Sequence, residues 1–129
     1  KYVPRVAEPR LRHLAGLFPA VAVTGPRQSG KTTLLRHAFP RHAFRSFDLP
    51  EERAFFEDDP RGFVGGLPRR VILDEVQRVP AIFDYLKAEI DRRRDPGRFV
   101  LSGSAQFSMV KGISESLAGR CGFLTLLPF

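Results

Sequence analysis

The chain has 129 residues, 43% of them hydrophobic, so it can form one domain with a packed core but has no room for a second module. No apolar run reaches the roughly 18 residues of a membrane-spanning helix, and no basic-then-apolar leader suggests secretion. The formal net charge of +7 is spread along the chain between acidic residues, so it leaves a nucleic-acid partner open although no motif indicates one.

The two ends of the sequence and its single cysteine indicate what kind of protein the chain comes from. It begins at Lys1 rather than Met, and it stops at Phe129 directly after an apolar, strand-like segment. We therefore expect residues 1–129 to be one domain of a longer protein. The single Cys121 can form no internal disulfide, which agrees with a cytoplasmic location.

Helix and strand signals alternate along the chain, which predicts an α/β fold with a parallel sheet. In the first half we expect, in chain order, a helix over 9–17, a strand over 21–24, a helix over 32–39, a strand over 43–47 and short helices over 50–56 and 61–64. In the second half, Ile82, Leu86 and Ile90 recur every fourth residue and predict an amphipathic helix over 81–93. The remaining expected elements are strands over 71–73, 99–101 and 123–127 and a helix over 108–117.

Between the first strand and the second helix lies the sequence GPRQSGKT, which fits the pattern G-x-x-x-x-G-K-[ST] of a phosphate-binding loop. Its glycines let successive backbone N–H groups point at a phosphate, and the next helix presents its positive N-terminal end to the same anion. We expect Lys31 to reach the β- and γ-phosphates and the Thr32 hydroxyl to bind Mg²⁺. The predicted nucleotide-binding residues are Gly25, Pro26, Arg27, Gln28, Ser29, Gly30, Lys31, Thr32 and Thr33.

Polar residues also follow the later strands, at the carboxyl ends where an open parallel sheet binds its ligands. Asp74 comes directly after a buried strand and is predicted to hold Mg²⁺ together with Thr32. Glu75 is one position further and is predicted to orient and deprotonate an attacking water. Ser102 follows the fourth strand as the expected sensor of the γ-phosphate, with Ser104 as the alternative.

Arg120 precedes the fifth strand, and its role has two interpretations. Its guanidinium could complete the neutralisation of a transferred phosphoryl group, in cis or across a subunit boundary. Equally, it could be a cation that stabilises the end of a helix.

The aromatic residues and the short basic clusters are interpreted structurally. Phe55, Phe56, Phe63 and Phe83 are predicted to fill the core, because no strand alternates aromatic and basic residues as a platform for bases would. The basic clusters at 69–70 and 92–94 are interpreted as solvated helix ends and loop edges rather than as contacts to a phosphate backbone.

Four segments resemble, in order and spacing, the prokaryotic AAA-type (AAA+ superfamily) ATPases in which a P-loop domain precedes a conserved C-terminal domain. They are residues 23–32, 72–80, 101–104 and 116–120, and the similarity covers nearly the whole chain. The most specific part is the D-E-x-Q-R-x-P run that starts at Asp74, since a generic nucleotide hydrolase does not need it.

The resemblance implies a three-layer P-loop NTPase core, with helices on both faces of a five-stranded parallel sheet in the order 5-1-4-3-2. It implies ATP and Mg²⁺ as cofactors, with Lys31, Thr32, Asp74, Glu75 and Ser102 in the roles given above. It also puts Arg120 where such domains carry an arginine finger for a neighbouring subunit. A homo-oligomer and the parent protein's C-terminal domain are therefore the implied partners.

The expected function is that of an ATPase. The family's helical lid has no counterpart in these 129 residues, so we expect weak or absent hydrolysis by the isolated domain. Two alternatives stay open: a nucleotide-gated interaction module with little turnover, and a small-molecule kinase, which shares the phosphate-binding loop.

Overall fold

A parallel five-stranded sheet forms the middle layer of the computed structural model, which describes residues 7–26, 30–104 and 107–126, with 107 and 108 described by backbone alone. The strands are β1 (Ala20–Thr24), β2 (Ala43–Ser46), β3 (Val71–Asp74), β4 (Phe99–Gly103) and β5 (Cys121–Thr125). They lie in the order β2-β3-β4-β1-β5, and all four pairings are parallel. The predicted order 5-1-4-3-2 is confirmed, with β4 between the strand before the phosphate-binding loop and the strand that ends in Asp74.

Six helices cover the two faces of this sheet. They are α1 (Ala7–Leu17), α2 (Lys31–Ala38), α3 (Pro50–Asp58), α4 (Pro60–Gly65), α5 (Ile82–Arg92) and α6 (Phe107–Ser116), and a short 3₁₀ helix spans Val76–Arg78. None of the helices in the described ranges has the length and apolar character needed to cross a bilayer.

Alternation along the strands divides the apolar core between the two faces, because successive side chains of a strand point in opposite directions. Val21 and Leu34 belong to the smaller core cluster, which lies between the sheet and the helices α1 and α2. Ala20, Leu86 and Ile113 belong to the larger cluster, which lies between the other face and the helices α3 to α6. The three-layer architecture follows from this division.

The fifth strand begins two residues earlier than predicted. The expectation of 123–127 followed the apolar run, but backbone pairing with β1 starts at Cys121, and the amide of Ala20 donates to the carbonyl of Arg120. Gly122 has no side chain to signal a strand; a Cβ there would lie 3.0 Å from Phe18 and 3.1 Å from Leu14, so it lets α1 approach the sheet closely. The end of the predicted strand, residue 127, lies outside the described residues.

One of the four predicted core phenylalanines is at the surface. Phe56, Phe63 and Phe83 are buried as expected, but Phe55 is 57% exposed. The reason is helical geometry, since Phe56 occupies the inner face of α3 and the preceding residue is turned by about 100°. The ring of Phe55 instead lies at the rim, edge-on to Phe63 with centroids 5.2 Å apart.

Gly112 sets the packing distance between α5 and α6. A Cβ added at this position would overlap the ring of Phe83, which is itself fully buried. By contrast, a Cβ added at Gly16 in α1 would meet no heavy atom within 4 Å. The two helical glycines therefore have different physical roles.

We expect Gly112→Ala to lower the free energy of unfolding by about 1–3 kcal/mol, because the helices must separate or the ring of Phe83 must leave its preferred rotamer. Gly16→Ala is the matched control and should raise the free energy of unfolding by up to about 1 kcal/mol, since it only restricts the unfolded chain. Urea denaturation of both variants measures the difference. Equal effects at the two positions would contradict the packing role of Gly112.

Candidate functional site

The candidate site lies at the carboxyl edge of the sheet, where β1, β3 and β4 end. Gly25 follows β1, and its amide donates to the carbonyl of Gly103 at the end of β4, 3.3 Å away. Gly30 adopts the left-handed conformation (φ 82°, ψ 19°) immediately before α2, which glycine adopts without strain. The predicted loop residues Arg27, Gln28 and Ser29 lie outside the described residues.

Lys31 is the first residue of α2, and its side chain is directed into the loop. The residue is only 2% exposed, and its ammonium donates to the carbonyl oxygens of Gly25 (3.0 Å) and Pro26 (3.1 Å). An entering phosphate would offer charged acceptors, which form stronger hydrogen bonds to an ammonium than neutral carbonyls do. Thr33, the last of the predicted nucleotide-binding residues, is exposed beside this loop.

A buried carboxylate, Asp74, is the centre of the site. It is 6% exposed and accepts hydrogen bonds from three hydroxyl groups: Ser102 at 2.7 Å, Ser46 at 2.8 Å and Thr32 at 3.4 Å. These donors come from β4, β2 and α2 respectively, so three elements meet on the end of β3. The structure brings together Thr32 and Asp74, the two residues that the sequence predicts as metal ligands.

Asp48 joins the site although the sequence analysis did not select it. One carboxylate oxygen from each of Asp48, Asp74 and Glu75 lies within 4.8 Å of the others. Carboxylate oxygens at this spacing repel one another unless a proton or cation lies between them, and they are the donors that Mg²⁺ prefers. The side chain of Asp48, 38% exposed, also lies 3.8 Å from the guanidinium of Arg78. In the sequence, Asp48 directly follows the predicted strand over 43–47, as Asp74 follows the predicted strand over 71–73, and this is the signal that could have identified it.

Glu75 has a backbone conformation that non-glycine residues seldom adopt. Its φ of 56° and ψ of 49° are left-handed, and it is the one non-glycine residue with positive φ in the described ranges. The side-chain amide of Gln77 donates to one Glu75 carboxylate oxygen at 2.6 Å. A residue keeps such a backbone conformation only where its surroundings hold it in place. The hydrogen bond from the Gln77 amide is one of the contacts that hold Glu75.

Gly103 provides the space that the amide of Gln77 occupies. A Cβ at position 103 would overlap Gln77 Oε1, and this oxygen is buried without a hydrogen-bond partner among the described residues. The L-S-G-S segment therefore has glycine at position 103 because a larger residue would overlap the side chain of Gln77. Sequence reasoning identified neither its contact with Gln77 nor the contact of Gln77 with Glu75, because both depend on how β4 packs against the turn after β3.

Ser102 and Ser104, the two alternatives for the polar sensor, occupy different surroundings. Ser102 is fully buried and hydrogen-bonded to Asp74. The Ser104 hydroxyl is buried without a partner among the described residues. The geometry ties Ser102 to the carboxylate, and its role as a sensor stays a prediction.

Arg120 lies at the opposite, amino edge of the sheet. Its backbone carbonyl accepts a hydrogen bond from the amide of Ala20 at the start of β1, whereas the phosphate-binding loop follows the end of that five-residue strand, about 17 Å away. Its guanidinium binds both carboxylate oxygens of Asp91, at 2.8 and 3.0 Å, and through these hydrogen bonds holds the pKa of Asp91 below its ordinary value. Arg120 therefore lies at the far edge from the loop of its own chain, which disfavours action in cis, and its action across a subunit boundary stays a prediction.

Cys121 also lies at the amino edge, away from the site. Burial raises the pKa of its thiol to about 12, so the side chain is a neutral thiol at physiological pH. A thiol in this state is a poor nucleophile.

Comparison with known proteins adds a family and a set of similar folds. A family model described as "AAA domain" matches residues 17–129. Two uncharacterized proteins, one of Mycobacterium bovis and one of Mycobacterium tuberculosis, are each 40% identical over 123 residues, which is 95% of this chain and 28% of theirs. The chain thus spans less than a third of the length of these relatives.

Two solved structures resemble this one in fold. A DNA replication initiation factor superposes with a TM-score of 0.61 at 18% identity, covering 94% of this chain and 44% of the other. A Walker-type ATPase of Pyrococcus abyssi superposes with a TM-score of 0.66 at 15% identity, covering 100% of this chain and 54% of the other. At these identities the likeness concerns the fold alone.

Proposed function

Since the chain belongs to the AAA domain family, we propose that it binds ATP together with Mg²⁺ and hydrolyses the terminal phosphoanhydride bond. One observation carries this proposal: three hydroxyl groups converge on the buried carboxylate of Asp74 beside a loop that holds the ammonium of Lys31. A carboxylate has about four acceptor sites, and the three hydroxyl groups occupy three of them, so Oδ2 of Asp74 has one site left for a cation. The loop ammonium supplies the neighbouring positive charge that a triphosphate needs.

Each residue has a defined part in this proposal. The loop from Gly25 to Thr33 would bind the phosphates, with Lys31 neutralising charge on the terminal one. Thr32 and Asp74 would hold Mg²⁺, which when bound stabilises the charge that develops on the phosphate oxygens. Glu75 accepts a proton from water while the water oxygen bonds to the γ-phosphorus and the bond to the bridging oxygen breaks, releasing ADP.

Gln77 is proposed as a positioning residue for Glu75. Its amide donates to one carboxylate oxygen at 2.6 Å, which leaves the second oxygen of Glu75 able to accept the proton from water. A base must be held within hydrogen-bond reach of its water, and small displacements are costly to the rate.

The same contact favours a second candidate function, a nucleotide-gated interaction module with little turnover. If the amide of Gln77 keeps Glu75 turned away from the phosphates, ATP would bind without being cleaved. Full activity, together with partners such as a C-terminal domain or a second copy that receives Arg120, would then belong to the longer parent protein. Glu75 beside the proposed metal ligand fits water activation better than transfer to a metabolite, so the described residues do not favour the kinase alternative.

Lys31→Ala should abolish binding of Mg²⁺–ATP measured by titration calorimetry, because the variant leaves the phosphates without the ammonium inside the loop. Lys87→Ala removes an equal charge from the exposed face of α5 and should leave the affinity unchanged. Thermal unfolding of both variants checks that the buried substitution has not unfolded the domain. A folded Lys31→Ala variant that binds Mg²⁺–ATP with unchanged affinity would contradict the proposed binding of ATP at this loop.

Glu75→Gln should retain ATP binding and lose phosphate release, since an amide cannot accept the proton from water. The comparison uses both this domain and the longer parent protein, and Glu115→Gln on the exposed face of α6 is the control. If the parent protein binds ATP but releases no phosphate with either side chain at position 75, the gated module replaces the hydrolase.

Gln77→Leu should lower kcat for phosphate release roughly 10- to 100-fold and leave KM for ATP unchanged, because the variant removes the support of the base rather than a phosphate contact. Gly103→Ala should also lower kcat, since its Cβ would displace Gln77 Oε1, but that Cβ would overlap the sulfur of the buried Met109 as well. Gly103→Ala should therefore lower the free energy of unfolding in addition to kcat, whereas Gln77→Leu should act on kcat alone. A parallel rise in KM would instead indicate a general distortion of the nucleotide site.

A further inference from the structure

The amino edge of the sheet, opposite the nucleotide site, collects most of the excess positive charge. Because all strands are parallel, the residues that precede β2, β3, β4 and β5 lie at this one edge, together with the C-terminal end of α5. We call the arginines there the basic edge; they are Arg41, Arg69, Arg70, Arg92, Arg93, Arg94, Arg98 and Arg120. Three carboxylates, Glu89, Asp91 and Asp95, form ion pairs with five of these arginines, so the eight arginines and three carboxylates together carry an excess of five positive charges.

Hydrogen bonds between these segments make the basic edge one continuous surface. The Arg70 guanidinium donates to the carbonyl of Pro96 at 3.2 Å, so the turn before β3 contacts the turn before β4. The Arg94 guanidinium donates to the carbonyl of Gly119 at 3.0 Å, which joins the end of α5 to the turn before β5. Five strands at about 4.8 Å spacing give this surface a width of about 19 Å.

The members of the basic edge divide into a buried support and an exposed surface. Arg98 is buried and binds the buried Glu89 at 2.7 Å, so this pair supports the edge from below. Arg69 and Arg92 are 62% and 70% exposed even though they lie near carboxylates. Arg70 and Arg94 are exposed, and their guanidinium groups donate to the neutral carbonyls of Pro96 and Gly119, so these hydrogen bonds neutralise neither charge.

A neighbouring histidine responds to this local field. His42 lies just before β2, and its ring nitrogen Nε2 is 2.8 Å from the carbonyl of Gly97. Burial lowers the pKa of His42 below its ordinary value; the hydrogen bond with Gly97 partly opposes this, and the positive charge of Arg70 adds to the lowering. The imidazole is therefore kept neutral beside the arginines, and it adds no charge to the edge.

The composition of the surface indicates what it would bind. All its cations are arginines, and a planar guanidinium matches the oxygens of a phosphate with two parallel hydrogen bonds. Phe55 and Phe123, the exposed aromatic residues of the described chain, lie outside this edge, on α3 and in β5. Without rings on which bases can stack, such a surface suits the regular backbone of a duplex rather than a single strand.

We propose that the basic edge binds the phosphate backbone of a nucleic-acid duplex without regard to base sequence, at the end of the domain opposite the nucleotide site. Duplex DNA carries about one charge per 1.7 Å of axis over both strands, so about 19 Å of duplex holds roughly eleven phosphates, of which those on the near side would face the surface. The 69–70 and 92–94 clusters are exposed at loop edges and at the end of α5, as expected, and the proposal adds a phosphate backbone as their binding partner. Each cluster is short in sequence, and only the parallel topology places them side by side.

The test is a fluorescence-anisotropy titration of labelled 24-base-pair DNA of two unrelated sequences at several salt concentrations. Both sequences should bind equally, and the affinity should fall steeply with salt. The double variant Arg70→Ala, Arg94→Ala should reduce the slope of log affinity against log salt by about 2 and weaken binding roughly tenfold at low salt. Duplex RNA of the same length should also bind, since the proposed contacts are to phosphates.

The control removes the same charge from other surfaces. Arg10→Ala with Lys111→Ala, on α1 and α6, should leave the slope and affinity nearly unchanged, and thermal unfolding of both double variants checks that they remain folded. The proposal is overturned if the two double variants lose affinity equally, or if polyglutamate or phosphatidylserine vesicles bind as tightly as the duplex. It is also overturned if sedimentation shows that Arg70→Ala, Arg94→Ala dissociates an oligomer, since the basic edge would then be a subunit interface. Because the titration needs no ATP, its outcome is independent of the proposed hydrolysis.

Discussion

The arrangement of the site depends on one constraint, the burial of the Asp74 carboxylate. A carboxylate excluded from water must be hydrogen-bonded or paired, and the chain meets this requirement with hydroxyl groups from α2, β2 and β4. The first turn after the phosphate-binding loop, the end of β2 and the end of β4 are therefore all fixed relative to β3. These hydrogen bonds consequently fix the positions of the loop, the proposed metal ligands and the proposed base relative to one another.

Sequence patterns predicted the parts of this framework that local chemistry determines. The glycine-rich loop, the apolar strands and the four-residue spacing in α5 each encode their own structure, and the comparison with known proteins confirmed the family. The order of the strands came from resemblance, because periodicity shows which face of a strand is buried but not which strand lies beside it. Asp48 and Gln77 were missed for the same reason, since their contacts join residues from different elements.

The errors at β5 and Phe55 have a related cause. Hydrophobic residues indicate strands and burial, but they do not fix either. β5 is defined by backbone pairing that begins at Cys121, before its apolar run. Phe55 is exposed because its neighbour Phe56 is the residue of α3 that faces inward. Gly122 and Gly112 show the converse case, in which the absence of a side chain determines how closely α1 and α6 approach their neighbours. Sequence patterns show these glycines, but only the packed structure shows what each one accommodates.

The parallel topology also explains why the two edges differ in charge. Each crossover helix runs from the carboxyl edge back to the amino edge, so α2 presents its positive end to the phosphate-binding loop, while α2, α5 and α6 end at the basic edge, as does α1, which leads into β1. The C-terminal partial charges of these helices are about half an elementary charge each, and together they offset only about 2 of the five excess positive charges. Helix dipoles can therefore account for part of the arginine enrichment at this edge but not for its excess, and the remainder is the charge available to an external polyanion.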